Sequence, residues 1–480
     1  MMSVKTPLAL ACAALLSGCM VGPDYVRPAV DLPAQYGSND AAAPAAVARG
    51  WWKQFNDDTL NALVEQALAD NTDVQRAAAR IEQADALLRE AGAALFPDVG
   101  LQAGASRSRI SGVGAPIPAG APLYRKNFQT AIATSFELDF WGKLRRASEA
   151  ARAQALGTRY AKDTVELTLV SQVTGNYLNL RALDAQLALS RDTLATRREN
   201  ADILRTRVER GLTNELELQQ ALAAQAQIEA QIADLSRSRA LVENQLALLT
   251  GRLGQQIAPG DLRALPLPPL PPAGLPSSLL DARPDVRQAE SELASANALI
   301  GVAKAALYPS ISLTGNYGSQ SRELSDLFSG PSNIWSLGLS LDLPLFDGGR
   351  RSARVDQASA QQKQALAGYV SAIRNAFTDV RDALASAEQY AQSVEALQKQ
   401  ADAATRSLQL AQKRYDAGYS RYLEVLDAQR TANEASLALV RARQGQLAEV
   451  VNLYAALGGG WAADGATAPD AAASAPPASN

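Results

Sequence analysis

Two long stretches without proline constrain this 480-residue chain more than any other feature: residues 123–258 contain none, and neither do residues 345–468. Elsewhere prolines cluster, most densely at Pro259, Pro266, Pro268, Pro269, Pro271, Pro272 and Pro276. A proline inside a helix costs about 3 kcal/mol, so the two deserts read as long helices and the cluster as an extended linker. Within the second desert Ile373, Phe377, Val380, Leu384, Ala387, Ala391 and Val394 alternate steps of four and three. After a slip at Leu397 the series resumes through Ala401, Ala404, Leu408, Ala411 and Tyr415. That is a coiled-coil seam rich in alanine, which lets helices approach closely. A helix of this kind, at 1.5 Å per residue, is roughly 100 Å long and cannot lie inside an ordinary globule.

The two halves repeat. Asn71-Thr72-Asp73-Val74 returns as Arg283-Pro284-Asp285-Val286, and Ala94-Leu95-Phe96-Pro97 as Ala306-Leu307-Tyr308-Pro309, both at an offset of 212. Arg210-Gly211 answers to Ala417-Gly418, and Leu216-Glu217 to Leu423-Glu424, at an offset of 207. Each unit of about 180 residues reads helix, strand, strand, long helix, return helix. The expected division is a first repeat over 59–251, a Pro-rich linker over 252–281 and a second repeat over 282–461. The first helices are expected at 59–95 and 282–307, the long helices at 143–210 and 350–417, and the return helices at 214–250 and 421–457. Gly211 and Gly418 stand where C-terminal caps belong.

Four alternating runs separate the helices, at about 98–110, 126–139, 310–320 and 333–345. In the last, Trp335, Leu337, Leu339, Leu341 and Leu343 alternate with Ser336, Gly338, Ser340 and Asp342. Runs of this length suit tilted membrane strands, apolar toward lipid and polar toward a lumen. Four strands cannot close a barrel, because the smallest membrane barrels have eight, and an open edge in lipid leaves backbone groups unsatisfied. Several copies must therefore complete the wall; two, three or four would supply roughly 8, 12 or 16 strands.

The N-terminus reads as an export signal over 1–18: Lys5, an apolar run from Pro7 to Leu16, then Leu16-Ser17-Gly18-Cys19. The last four residues form a lipobox-like pattern, so Cys19 is expected to carry acyl chains and 19–58 to form a lipidated extended segment. Residue 20 is Met rather than Asp, which under the lipoprotein sorting rule implies passage to the outer membrane. The tail 462–480, mostly Ala, Pro and Ser, is expected to be disordered. The 46 basic and 49 acidic residues leave no excess charge of the kind that binds nucleic acid. The absence of histidine, the lack of a metal-ligand cluster and the loss of Cys12 with the signal leave an enzyme little to work with, and no cofactor is expected. Gly348-Gly349-Arg350 lacks the ending of a phosphate loop and reads as a turn.

Several motifs together carry a family resemblance. They are Val21-Gly22-Pro23-Asp24-Tyr25 with Arg27-Pro28, Trp51-Trp52, Arg283-Pro284-Asp285-Val286, Leu307-Tyr308-Pro309 and Phe346-Asp347-Gly348-Gly349-Arg350, set in the duplicated layout. The chain resembles the outer membrane factors of the TolC/OprM class, in their lipoprotein branch. The resemblance implies an α+β membrane protein: a homotrimer with a 12-stranded β-barrel, a 12-helix periplasmic α-barrel and a mixed equatorial region. It also implies a job, passive exit of drugs or other small toxic compounds. Cargo would arrive from an inner-membrane pump of the resistance-nodulation-division class through a periplasmic adaptor. A duct for protein secretion and a non-conducting periplasmic scaffold remain as alternatives.

The resemblance places a gate at the tip of the second repeat. Leu423, Asp427 and Arg430 match an apolar residue, an acid and an arginine that narrow the pore in relatives; Tyr415 matches a tyrosine that holds the closed tip; Glu424 stands where others carry a second acid. Spacings of four and three put Leu423, Asp427 and Arg430 on one helix face. Some relatives have an arginine where Ser420 stands. The first repeat offers Gln220 for Asp427 and Val208 for Tyr415, so the mobile latch is expected in the second.

Overall fold

The computed structural model describes residues 20–33, 36, 47, 49–111, 113, 122–271 and 279–461. Cys19, the signal segment and the tail 462–480 lie outside the described residues, as do 272–278 of the linker. Among the described residues, seven α-helices longer than one turn and four strands make up the fold. They are α1 (Asp58–Asp70), α2 (Thr72–Ala93), β1 (Asp98–Arg109), β2 (Tyr124–Glu137), α3 (Lys143–Glu209), α4 (Glu215–Leu249), α5 (Pro284–Ala305), β3 (Ser310–Ser321), β4 (Asn333–Asp342), α6 (Arg350–Asp416) and α7 (Tyr422–Ala456). The chain divides into two compact units, Met1–Ala29 with Arg80–Thr158 and Gln288–Tyr369, and Val30–Ala79 with Arg159–Arg287 and Val370–Asn480.

The first unit contains an antiparallel sheet in the order β1-β2-β3-β4, in which β2 and β3 join the hairpins of the two repeats. Register sorts the side chains into two faces. Leu101 pairs with Ile132, Ile132 with Tyr317, and Tyr317 with Trp335, so one apolar row crosses all four strands. All four are exposed, at 75%, 53%, 62% and 76%. Directly paired residues share a face, so Gly100, Ala133, Asn316 and Ser336 form a row on the other side. The outer edges of β1 and β4 have no strand paired to them among the described residues. No described helix is long and apolar enough to cross a membrane.

An N-terminal strap lies against the helices of the same unit. Val21 N–H donates to the Trp141 carbonyl (3.1 Å). Asn297 Nδ2 donates to the Pro23 carbonyl (2.9 Å), and Arg146 reaches Asp24 at 2.5 Å. Arg27 pairs with Glu290 at 2.6 Å. Gly22 and Gly301 meet backbone to backbone: a Cβ on Gly22, which has φ 108°, would stand 2.5 Å from the Gly301 Cα. Trp141 stacks on Tyr308 and donates through Nε1 to the Pro309 carbonyl (2.8 Å). The Gly348-Gly349 turn carries β4 into α6, and the Asp347 carboxylate accepts from the Gly349 and Arg351 amides, taking the place an anion would fill.

The second unit holds the main apolar core, where α1, α3, α4 and α7 converge: Leu60, Leu63, Val173, Tyr177, Leu178, Leu246, Leu447 and Val451 are all buried. Trp51 stacks on Tyr454 with centroids 5.2 Å apart. The linker is fixed to this core by charge. Asp184, almost fully buried, accepts from Arg239 Nε (2.6 Å), Gly260 N–H (3.0 Å) and Arg181 Nη1 (3.3 Å). Arg181 in turn donates to the Ala258 carbonyl (2.6 Å) and the Tyr177 hydroxyl (2.7 Å). Glu243 accepts from the Ile257 amide (2.7 Å). The linker has lost its helix to proline, and these side chains take up its backbone groups.

Several expectations need correction. The helix placed at 59–95 is two, α1 and α2, broken at Asn71. Asn71 Oδ1 accepts from the Asp73 amide (2.8 Å) and Nδ2 donates to the Leu249 carbonyl (2.9 Å), so this residue starts a new helix and ties it to α4. Its counterpart at 282–307 starts afresh at Pro284, a first-turn proline, after a single turn at Leu279–Ala282. The segment 19–58, expected to be extended, contains a 3-10 helix at Trp51–Phe55, wound because both of those aromatics enter the core. Strand β4 ends at Asp342, short of 345, because Pro344 cannot continue the ladder. The α6 seam is also displaced: Ile373, Ala376, Val380, Ala383 and Ala387 are the buried residues, while Phe377 and Leu384 flank it half-buried and Ala391 is exposed. Close helix approach selects the small side chain for the contact line.

Asn71→Ala removes the cap and leaves the buried Leu249 carbonyl unpaired. It should cost about 2–3 kcal/mol in thermal unfolding of the purified protein. Asn71→Ser keeps the capping oxygen and should fall between the variant and the wild type.

Candidate functional site

All four long-hairpin helices end in the same way. Gly211 and Gly418 have φ 70° and 79°. Gly211 N–H bonds the Val208 carbonyl and Leu212 N–H the Arg207 carbonyl; Gly418 and Tyr419 repeat this with Tyr415 and Arg414. Gly251 with Arg252 and Gly458 with Gly459 close α4 and α7 by the same pair of bonds. This is the Schellman motif, and it needs a residue tolerant of left-handed geometry at each stop.

The two return helices begin differently. Asn214 caps α4, accepting from the Glu217 amide (3.1 Å), and Thr213 Oγ1 donates to Glu217 Oε2 (2.6 Å). The equivalent residue before α7 is Arg421, with nearly the same backbone angles (φ −84°, ψ 155° against −94°, 157°) and no side-chain cap. Ser420 Oγ is buried without a hydrogen-bond partner among the described residues. The second turn therefore starts its helix without the stabilisation of about 1 kcal/mol that a cap contributes.

The candidate gate residues gather around this second turn. Leu423 is exposed at 59%. Asp427 and Arg430 pair within the chain at 2.8 Å, and Arg430 also reaches Glu434 at 3.2 Å. The hydrogen bond that Arg430 donates to the Asp427 carboxylate holds its guanidinium above its ordinary pKa. Glu424 pairs with Arg414 at 3.3 Å, linking the end of α6 to the start of α7. Tyr415 accepts from Arg207 Nη1 (3.3 Å), a tie between the two repeats, and its ring lies 5.5 Å from that of Tyr422. Burial raises the Tyr415 phenol pKa, and the nearby Glu217 charge adds to the effect. Leu204, Leu218, Ala221, Ala411, Tyr422 and Val425 pack beneath as one apolar cluster drawn from all four helices. A groove of about 700 Å³ runs between α6 and α7, with Arg414, Tyr419, Glu424 and Asp427 on its walls.

Sequence reasoning missed Arg207, Arg414, Glu217 and Glu434. Arg430 and Glu434 stand four apart on one helix, a signal that was available. Arg207 and Arg414 correspond at the repeat offset of 207, both in the last turns of long helices, where cations favour the exposed carbonyls. Among the described residues no group of acids, histidines or cysteines could hold a metal ion.

A four-stranded sheet with an exposed apolar belt and two open edges, followed by paired long helices in duplicate, defines a β-barrel exit channel assembled from several chains. The family model for outer membrane efflux proteins matches residues 63–252 and 275–459, and the chain belongs to that family. It is 34% identical over 460 residues to the cation efflux system protein CusC of Escherichia coli K12, covering 94% of this chain and 98% of that one. Over 455 residues it is 34% identical to the solvent efflux pump outer membrane protein SrpC of Pseudomonas putida, covering 93% and 96%. Among solved structures it matches the outer-membrane channel OprN (TM-score 0.86, 29% identity, 92% of this chain and 99% of that one). It also matches the open state of the Neisseria gonorrhoeae MtrE outer membrane channel (TM-score 0.83, 31% identity, 92% and 98%). The protein is thus an outer membrane efflux channel, and its fold class is that of the trimeric channels in which a β-barrel joins an α-helical barrel. The family is one of transport ducts rather than of enzymes.

Arg421→Asn, which copies Asn214, should stabilise the second turn by about 1 kcal/mol. Asp427→Ala and Arg430→Ala break only exposed ion pairs and should leave the melting temperature unchanged. A calorimetric or circular-dichroism melt of each variant reads both outcomes.

Proposed function

We propose that three copies of this chain pool their sheets into a 12-stranded wall and carry small toxic molecules outward, receiving them from an inner-membrane pump through a periplasmic adaptor. The open edges of β1 and β4 carry this reading. In hydrocarbon each unpaired N–H and C=O costs several kcal/mol, so β1 of one copy must pair with β4 of the next. The Leu101–Ile132–Tyr317–Trp335 row faces lipid, and the Gly100–Ala133–Asn316–Ser336 row faces the lumen. Cys19, one residue before the strap, bears the acyl anchor.

In this reading the α6–α7 turn is the gate. Threefold symmetry converts Leu423, Asp427 and Arg430 into rings; an apolar ring excludes water and a carboxylate ring favours cations. Tyr415 with Arg207, and Glu424 with Arg414, hold the turn to its neighbours. Each contact is weak, and the α7 start is uncapped, so the turn can yield to an adaptor without the core unfolding. Relatives are named for cations, solvents and antibiotics, which fits a duct that leaves cargo selection to the pump.

Native mass spectrometry of detergent-solubilised protein should give three chains; a strictly monomeric, water-soluble product would overturn the assembly. In planar bilayers Asp427→Ala should raise single-channel conductance several-fold, and an unaltered conductance would remove Asp427 from the gate.

A further inference from the structure

One turn or two back from the apolar cluster at the tip, the contact between α3 and α7 becomes polar and unsatisfied. Thr193 Oγ1 donates to the Leu189 carbonyl of its own helix (2.9 Å) and lies 3.3 Å from Asn433 Oδ1, which marks the level at which the two helices meet. One helical turn toward the tip from that level lie Arg197 on α3 and Gln429 on α7, both more than nine-tenths buried, at 5% and 7% exposure. Arg197 Nε and Nη1 and Gln429 Oε1 have no hydrogen-bond partner among the described residues. The same holds for the hydroxyls of Tyr422, two turns nearer the tip on α7, and Ser190, two turns the other way on α3. Burial depresses the Arg197 pKa, and the neighbouring titratable group that acts on it is a phenol, Tyr422, rather than a carboxylate. Of the charges close to it in sequence, Arg198 pairs with Glu229 at 2.8 Å and Asp202 with Arg205 at 2.5 Å, and no carboxylate among the described residues pairs with Arg197.

A buried charge without a counter-ion is among the most costly arrangements inside a protein. Here it stands between two tight contacts, the tip cluster around Leu204 and Val425 and the alanine contact of Ala401, Ala404, Ala432 and Ala435 between α6 and α7. At this level, between the tip cluster and the main core, helix α7 is packed on its α6 side and burdened on its α3 side. Any displacement that keeps α7 with α6 and parts it from α3 admits water to the guanidinium and recovers its solvation.

We propose that Arg197 is a positioning residue for the gate: its uncompensated charge makes the α3–α7 contact the seam along which α7, moving with α6, comes away when the tip opens. The proposal rests on the reading of the α6–α7 turn as the gate. Arg197 touches no cargo. It sets how much work separates the shut arrangement from the open one, and the unpaired Gln429 and Tyr422 oxygens act in the same direction.

The test uses the intact protein in planar bilayers, with thermal unfolding of the same preparations by circular dichroism. Arg197→Met keeps the length of the side chain and removes the charge. It should lower mean current several-fold and raise the melting temperature by several degrees. Gln429→Glu supplies the missing carboxylate and should do the same in the wild-type background. In the Arg197→Met background it buries a lone acid instead, and both effects should reverse sign. A merely structural arginine predicts the opposite: Arg197→Met would lower the melting temperature and increase leak. That result, or a Gln429→Glu effect of one sign in both backgrounds, overturns the proposal. Failure of the gate reading itself shows separately, because Asp427→Ala would leave conductance unaltered while the sign reversal in melting temperature persisted.

Discussion

Unpaired backbone at the two sheet edges governs this molecule. A single chain presents β1 on one side and β4 on the other, and no described segment covers either. Lipid offers no hydrogen bonds, so the chain cannot reach its membrane state alone. The rest of the architecture answers that requirement. The β2–β3 pairing welds the two hairpins into one panel. The apolar belt on one face gives the panel its only stable orientation, and repetition by symmetry closes what the sequence leaves open.

Among the helices, duplication gives two hairpins with the same endings and different beginnings. Four Schellman stops show how closely the copies have kept their backbone. Yet Asn214 caps one return helix and Arg421 leaves the other bare. The tip thus has a fixed hairpin and a looser one, joined by Tyr415 to Arg207 across the repeats. The looser hairpin carries Leu423, Asp427 and Arg430, and its α7 shares the unsatisfied layer with α3. The missing cap and the buried unpaired charge therefore act on the same helix.

Much of the architecture was legible because proline and alternation act locally. The deserts after Pro122 and Pro344 could be read as helices without knowing any contact, and Ile311, Leu313 and Tyr317 show their period in isolation. What escaped depended on partners distant in sequence. The break at Asn71 is explained by Leu249, 178 residues away. The 3-10 turn at Trp51 exists because Tyr454 waits to stack on it. The seam shifted from Phe377 and Leu384 to Ala376 and Ala383 because heptad spacing does not say which of two adjacent stripes faces the neighbouring helix. At the candidate gate, spacing placed Leu423, Asp427 and Arg430 on one face, since that is a property of one helix. It could not supply Arg207 or Arg414, whose roles depend on where other helices end.

In the proposed barrel, the rows of the sheet that face the lumen have a bearing on traffic. Gly100, Ala133, Asn316 and Ser336, and beside them Gln102, Ala131, Gly318 and Ile334, are neutral, and among the last four only Gln102 and Ile334 extend far from the backbone. The carboxylates of that face stand at one rim, on Asp98, Glu137 and Asp342. A solute crossing the middle of such a passage finds no sticky pocket and no deep well in potential. Dwell time there is set by diffusion, and the same surface can discharge chemically unrelated molecules without being retuned for any of them.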